Sequence, residues 1–305
     1  MYEGVIGGLF MLKKIIIFHD LSDASKKALD WGVNFSAYFG SHLKFFYVAG
    51  RDFLLEEKQT VKSREIKKII QKQLGAYESV RQFLDKSTLP GLGRVAINIR
   101  IGQTIPTILR IIQKEKPDLV IVGTHGRKGL KHIFLGSVAE NVVRYSPVPV
   151  LIAKRPPNLP PKKIRGVLIP TDFSKFTEEA LLLGVHLSKQ VECNLTLAHV
   201  IGFSDHAKKA KRTAMRKLQS IITRHRSLKI EPYISMGPVV DEISKAAKRT
   251  DSDIILIPTH GHTGLSHLLM GSVAELVVRY SPVNVLSFCP KKQAERRRKF
   301  LKGDS

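Results

Sequence analysis

Hydrophobic and polar positions along this chain switch repeatedly between two periods. Short unbroken apolar runs, such as Ile15-Ile16-Ile17-Phe18, fit strands buried on both faces. Between them apolar residues recur at helical spacing. Ala24, Ala28, Leu29, Trp31 and Phe35 form one such face, behind Ser22 as an N-cap. In the first half this pattern predicts strands over 15–18, 42–48, 95–101, 119–122 and 148–153. Helices are predicted from Ser22, over a long charged stretch at 56–84, and over 105–114 and 137–145. The second half repeats the order, with strands over 167–170, 195–200, 230–234, 254–257 and 283–288. Its helices fall at 177–189, 208–224, 239–248 and 272–280. Five strands alternating with four helices predict, in each half, an α/β fold with a parallel, doubly wound sheet and right-handed crossovers.

The halves are copies. Residues 136–150 read GSVAENVVRYSPVPV and residues 271–285 read GSVAELVVRYSPVNV, differing at two of fifteen positions. A Thr-His-Gly element precedes each, and Gly126 to Gly261 and Gly136 to Gly271 are both 135 residues apart. A repeat of that length is a whole domain. The expected organisation is a first domain over 12–154, a proline-rich linker over 155–163, a second domain over 164–289 and a basic tail over 290–305. Asp20 to Gly126 spans 106 residues but Asp172 to Gly261 only 89, so the first domain is expected to carry a longer second helix or an extra loop. The ten residues before Met11 read as a loosely packed extension or an alternative start. They lack the basic flank and cleavage site of a signal peptide.

Composition narrows the class. With 305 residues, 43% hydrophobic and 25% charged, two globular domains each have enough chain for a core. Two isolated cysteines, Cys193 and Cys289, read as reduced side chains of a cytoplasmic protein. No apolar run is long enough to span a bilayer.

Ligands of open parallel sheets bind at the carboxyl ends of the strands. Three features of each half fall there. Asp20 and Asp172 follow the first strands, where a carboxylate accepts from ribose hydroxyls or a base edge, or else caps the next helix; alone, the cap is the simpler reading. After the fourth strand comes the loop Gly123-Thr124-His125-Gly126-Arg127-Lys128-Gly129. Then Gly136-Ser137-Val138 opens a helix whose N–H groups and dipole suit phosphate. The two donor-rich segments can clasp a polyphosphate with Arg127 or Lys128 neutralising charge, or can be a tight turn plus an ordinary helix start. His125 and His260, at equivalent positions, contact phosphate or pack within the loop.

This combination resembles the universal stress protein family: G-x-x-G, nine residues, then G-[S/T], with P-x-D-x-S after the first strand. The resemblance covers about residues 12–154 and 164–289 as a tandem pair. It implies two Rossmann-like domains of the adenine nucleotide alpha hydrolase-like type, each a five-stranded sheet in the order 3-2-1-4-5 flanked by helices. It also implies ATP, with or without Mg2+, across the carboxyl edge, and a regulatory or protective role in stress response. Asp20 and Val48, and Asp172 and Val200 in the second half, would hold the nucleoside. Gly123, His125, Gly126, Arg127, Gly129, Gly136, Ser137 and Val138 would hold the phosphates. Their second-half counterparts are His260, Gly261, Gly264, Gly271, Ser272 and Val273. The last strand of each half matches the edge through which family members dimerise, so an internal pseudo-dimer or a homodimer is expected. Two departures stand out. Phe18 replaces the proline of P-x-D, where it is placed to crowd or stack on adenine. Pro258 replaces the first motif glycine of the second half, without an N–H and with φ fixed. The first half is therefore the stronger phosphate site.

Catalytic signatures are missing: the sequence contains no P-loop, H-E-x-x-H, G-x-S-x-G or zinc spacing, so at most slow ATP hydrolysis is expected. The net charge of +24 suits a second class, an anion-binding adaptor docking on nucleic acid or membrane. Residues 291–305 carry seven basic and two acidic residues, but only Phe300 could stack on a base.

Overall fold

The computed structural model describes residues 12–20, 22–49, 63–65, 68, 95–124, 135–157, 163–203, 206–225, 229–260 and 270–302. The described residues divide into two compact units, 12–157 with 292–302, and 163–291.

In the first domain β1 (Lys14–Phe18), β2 (His42–Ala49), β3 (Val95–Ile101), β4 (Leu119–Gly123) and β5 (Val150–Ala153) form an all-parallel sheet in the order β3-β2-β1-β4-β5. The isoleucines of β1 are fully buried, as a central strand covered on both faces requires. Helix α1 (Asp23–Phe39) packs on β1, β4 and β5. Ser22 caps it by accepting from Ser25 N (3.2 Å), and Gly40, at φ 63°, ends it in the left-handed conformation. Helices α2 (Thr104–Glu115) and α3 (Ser137–Tyr145) pack against each other. Of the charged helix expected over 56–84, only residues 63–65 and 68 are described, and they are helical.

The second domain repeats this plan with β6 (Gly166–Pro170), β7 (Asn194–Ile201), β8 (Ile230–Met236), β9 (Ile254–Pro258) and β10 (Asn284–Phe288). Its order, β8-β7-β6-β9-β10, is again 3-2-1-4-5 in domain numbering, and all neighbours are parallel. Helix α4 (Phe176–Val191) packs on β6 and β9, α5 (Ala207–Arg224) on β7 and β8, and α6 (Val239–Arg249) on β6, β7 and β8 and against α7 (Ser272–Tyr280).

One element differs from expectation. The basic tail is a helix, α8 (Lys291–Lys302), and residues 292–302 pack with the first domain. Arg297 is 1% exposed and donates through Nη1 to the carbonyls of Val143 (3.2 Å) and Ser146 (2.8 Å), at the C-terminal end of α3. The tail is thus not simply a solvated run of charge.

Candidate functional site

The parallel register brings the same two residues together at both carboxyl edges. Phe18 pairs with Phe46, and His19 N donates to Phe46 O (3.0 Å), so Asp20 and Val48 each lie two residues beyond the pair. Pro170 pairs with Ala198, and Thr171 N donates to Ala198 O (2.8 Å), so Asp172 and Val200 stand level in the same way. Beyond each strand end, a side-chain link ties the turn to the first turn of the next helix. In the first domain it is His19 Nδ1 to Ser25 Oγ (3.3 Å), and in the second Thr171 Oγ1 to Thr177 Oγ1 (2.7 Å).

Both aspartates shape their turns. Asp20 Oδ1 accepts from Ser22 N (3.1 Å) and Ser22 Oγ (2.5 Å), and Asp172 Oδ1 accepts from Ser174 N (2.9 Å). These bonds close Asx-type turns ahead of the helices and do not cap them, since Ser22 caps α1 and α4 has no side-chain cap.

The two ends of each glycine loop are pinned together. Gly136 N donates to Thr124 O (2.6 Å), and Gly271 N donates to Thr259 O (2.8 Å). Gly136 and Gly271 precede helices with no side-chain cap. The leading N–H groups of α3 and α7 therefore lack the usual local acceptor. Ser137, Ser272 and Val273 are exposed and Val138 is half-buried there. In each helix the first-turn acid is tied to an arginine one turn on: Glu140 to Arg144 (3.0 Å) and Glu275 to Arg279 (3.3 Å).

Several expectations change. Gly136 and Gly271 are extended at φ −64° and −60°. Gly123 answers to packing: a Cβ there would lie 2.5 Å from Ala24 O and 2.6 Å from Ala24 C, so only glycine lets β4 pass the start of α1. At Pro258 the second domain is built differently. Helix α4 begins four residues after Asp172, whereas α1 begins three after Asp20, and Phe173 takes φ 63° to make the turn. The β6–β9 ladder stops at Leu168↔Ile255, while β1–β4 runs on to Phe18↔Val122. Pro170 and Pro258, with no N–H to offer, end the two strands, which are as long as β1 and β4. Phe18 is packed into the domain. It is 7% exposed and packs against Phe46, with ring centroids 6.1 Å apart. His260 is 3% exposed and hydrogen-bonded to Thr259 Oγ1 (3.0 Å), which is the packing alternative. His125, Gly126, Arg127, Gly129, Gly261 and Gly264 lie outside the described residues.

Two neighbours of the edge were not anticipated. Arg100, exposed on β3, is the register partner of Val48 and lies over the Phe46 ring (5.6 Å), whereas Ser235 partners Val200. His199, beside Val200, bonds Thr171 O (2.8 Å) and stacks on Phe173 (4.3 Å). Neither position carries a motif, so only the strand register reveals them. Among the described residues no three His, Cys, Asp or Glu side chains could hold a metal ion, and no helix is long and apolar enough to cross a membrane.

Comparison with known proteins bears on this geometry. The profile of the Universal stress protein family matches residues 11–154 and again 163–288. Universal stress protein MJ0577 of Methanocaldococcus jannaschii is 29% identical over 163 residues, covering 48% of this chain and 96% of its own. MJ0531 of the same organism is 28% identical over 148 residues, covering 48% and 84%. Among solved structures, a universal stress protein from Archaeoglobus fulgidus aligns over 92% of this chain and 99% of its own, with TM-score 0.64 and 23% identity, a likeness of fold. With its domain matched twice across nearly the whole length, the chain belongs to the universal stress protein family.

Proposed function

We propose that the first half binds ATP or a closely related adenine nucleotide at the carboxyl edge of its sheet, as a ligand whose occupancy serves a regulatory or protective role in stress response. The observation that carries the reading is the pinned, uncapped start of α3, where Gly136 N meets Thr124 O (2.6 Å) at the mouth of the glycine loop. Leading N–H groups without a side-chain acceptor, at the positive end of a helix dipole, suit a phosphate. In this reading Ser137 and Val138 hold phosphate with Gly126, Arg127 and Gly129 of the loop. Asp20 takes the ribose, Val48 packs on the nucleoside, and exposed Arg100 adds a cation. Mg2+ would be held by the phosphates themselves. The second half offers Asp172, Val200, Gly271, Ser272 and Val273, but its opened β6–β9 ladder makes it the weaker site.

The test is to denature purified protein, identify any released nucleotide, and titrate the nucleotide-free protein with ATP. A hundredfold excess over Kd should stabilise the bound domain by about 2.7 kcal/mol, several degrees in Tm. The extended backbone at residue 136 is a conformation that any residue adopts. Gly136→Asp should gain a few tenths of a kcal/mol as a helix cap, while its carboxylate repels phosphate and abolishes the ATP-dependent shift. No released nucleotide and no shift would end the reading. A shift lost in Gly271→Asp but kept in Gly136→Asp would move the site to the second half.

A further inference from the structure

The strongest unassigned feature is the start of α5 in the second domain. Seven of its eighteen residues are cationic and none is acidic. Its inward stripe, Ala214, Leu218 and Ile221, is buried, and all three lie in the C-terminal two-thirds of the helix. The first two turns, 207–213, contain no buried residue. Lys208, Arg212 and Arg216 are all exposed and recur every four residues, so they form one row with a rise of about 6 Å between cations. Among the described residues none of these three forms an ion pair, whereas Arg224 at the far end is paired with Glu178 (2.8 Å). Just ahead of the helix stands Phe203, at 82% the most exposed large hydrophobic side chain among the described residues.

An exposed aromatic residue five positions ahead of a row of uncompensated cations has the makings of a stacking platform with a phosphate track. We propose that Phe203 and the row Lys208, Arg212 and Arg216 form a docking surface for single-stranded nucleic acid. The row matches a polyphosphate backbone in charge and extent, and the ring offers a π-face that any base can use. A membrane is disfavoured because the helix turns its apolar stripe to the core, leaving Phe203 as the one apolar side chain of this surface that could insert. The surface shares no residue with the proposed nucleotide site, so either can fail alone.

The test uses the full chain and a fluorescein-labelled single strand of twelve uridines, followed by anisotropy from 50 to 300 mM salt. Because the net charge of +24 will attract any polyanion weakly, the comparison is between variants of equal charge. Lys208→Glu/Arg212→Glu/Arg216→Glu should bind at least tenfold more weakly than a control reversing Arg110, Lys114 and Lys189, which are exposed elsewhere. The slope of log K against log salt should drop by roughly 2. Phe203→Ala should weaken the single strand roughly fivefold or more and leave an RNA duplex unaffected. Unchanged far-UV circular dichroism and melting midpoint would show that the variants fold. The proposal is overturned if the triple variant binds like its control, if Phe203→Ala changes nothing, or if phosphatidylserine vesicles bind while the oligonucleotide does not.

Discussion

At the scale of single residues, two side chains carry measurable consequences. Gly123 is fixed by the backbone of Ala24, only 2.5 Å from where a Cβ would stand, and carbonyl groups of a helix start cannot swing away as a side-chain end can. Gly123→Ala should therefore destabilise the first domain by about 1–3 kcal/mol, read as a lower urea midpoint with unchanged m-value. Asp30 is 9% exposed, and its Oδ1 has no hydrogen-bond partner. Burial pushes its carboxyl up to about 6 against the opposing pull of Lys26. The folded state then holds more protons than the unfolded one between about pH 4 and 6, so this group's stabilisation fades as pH rises through that window. Asp30→Asn should stabilise the protein at pH 7.5 by up to about 3 kcal/mol, with the gain shrinking towards pH 4. A gain independent of pH would refute the assignment. Neither effect was legible beforehand. Gly123 read as a ligand-binding glycine and Asp30 as one more residue of α1, because clash and burial depend on partners distant in sequence.

Among elements, α3 is the most informative, because its two ends do different work. Its N-terminus is pinned by Thr124 at the proposed phosphate site, and its last carbonyls receive Arg297 from α8. A buried guanidinium at a helix C-terminus satisfies acceptors that would otherwise be orphaned and complements the dipole. Arg297→Ala should cost about 1–3 kcal/mol and raise amide exchange across 291–302, whereas Arg298→Ala, an exposed neighbour, should do neither. Equal exchange in both variants would mean that Arg297 does not hold the tail. Most other elements were readable from periodicity, and strands came within about two residues of their observed ends. Helix α8 was not, because Gln293, Ala294, Arg297 and the half-buried Leu301 mark its inner side, two of them polar. A stripe with an arginine in it looks like solvated charge until its acceptors are known.

For the whole molecule, the excess of +24 has a thermodynamic signature. Like charges repel most in the compact state, and the Debye length falls from about 10 Å at 0.1 M to about 3 Å at 1 M salt. Raising NaCl from 20 to 500 mM should therefore raise Tm, measured without nucleotide. A falling Tm would show that ion pairs such as Lys44–Glu115 (2.6 Å) outweigh the repulsion. The sequence by itself determined the duplication, the α/β class, the 3-2-1-4-5 order through its family resemblance, and the carboxyl edge as the place to look. Those features follow from local periodicity and from motifs that survive in a linear string. Tertiary structure alone decided which glycine serves packing, that Phe18 turns into the core, that Arg100 stands beside Val48, and that one arginine of a basic tail is buried. Each of these depends on strand register or on the proximity of segments far apart in the chain, and no local pattern of residues encodes that distance.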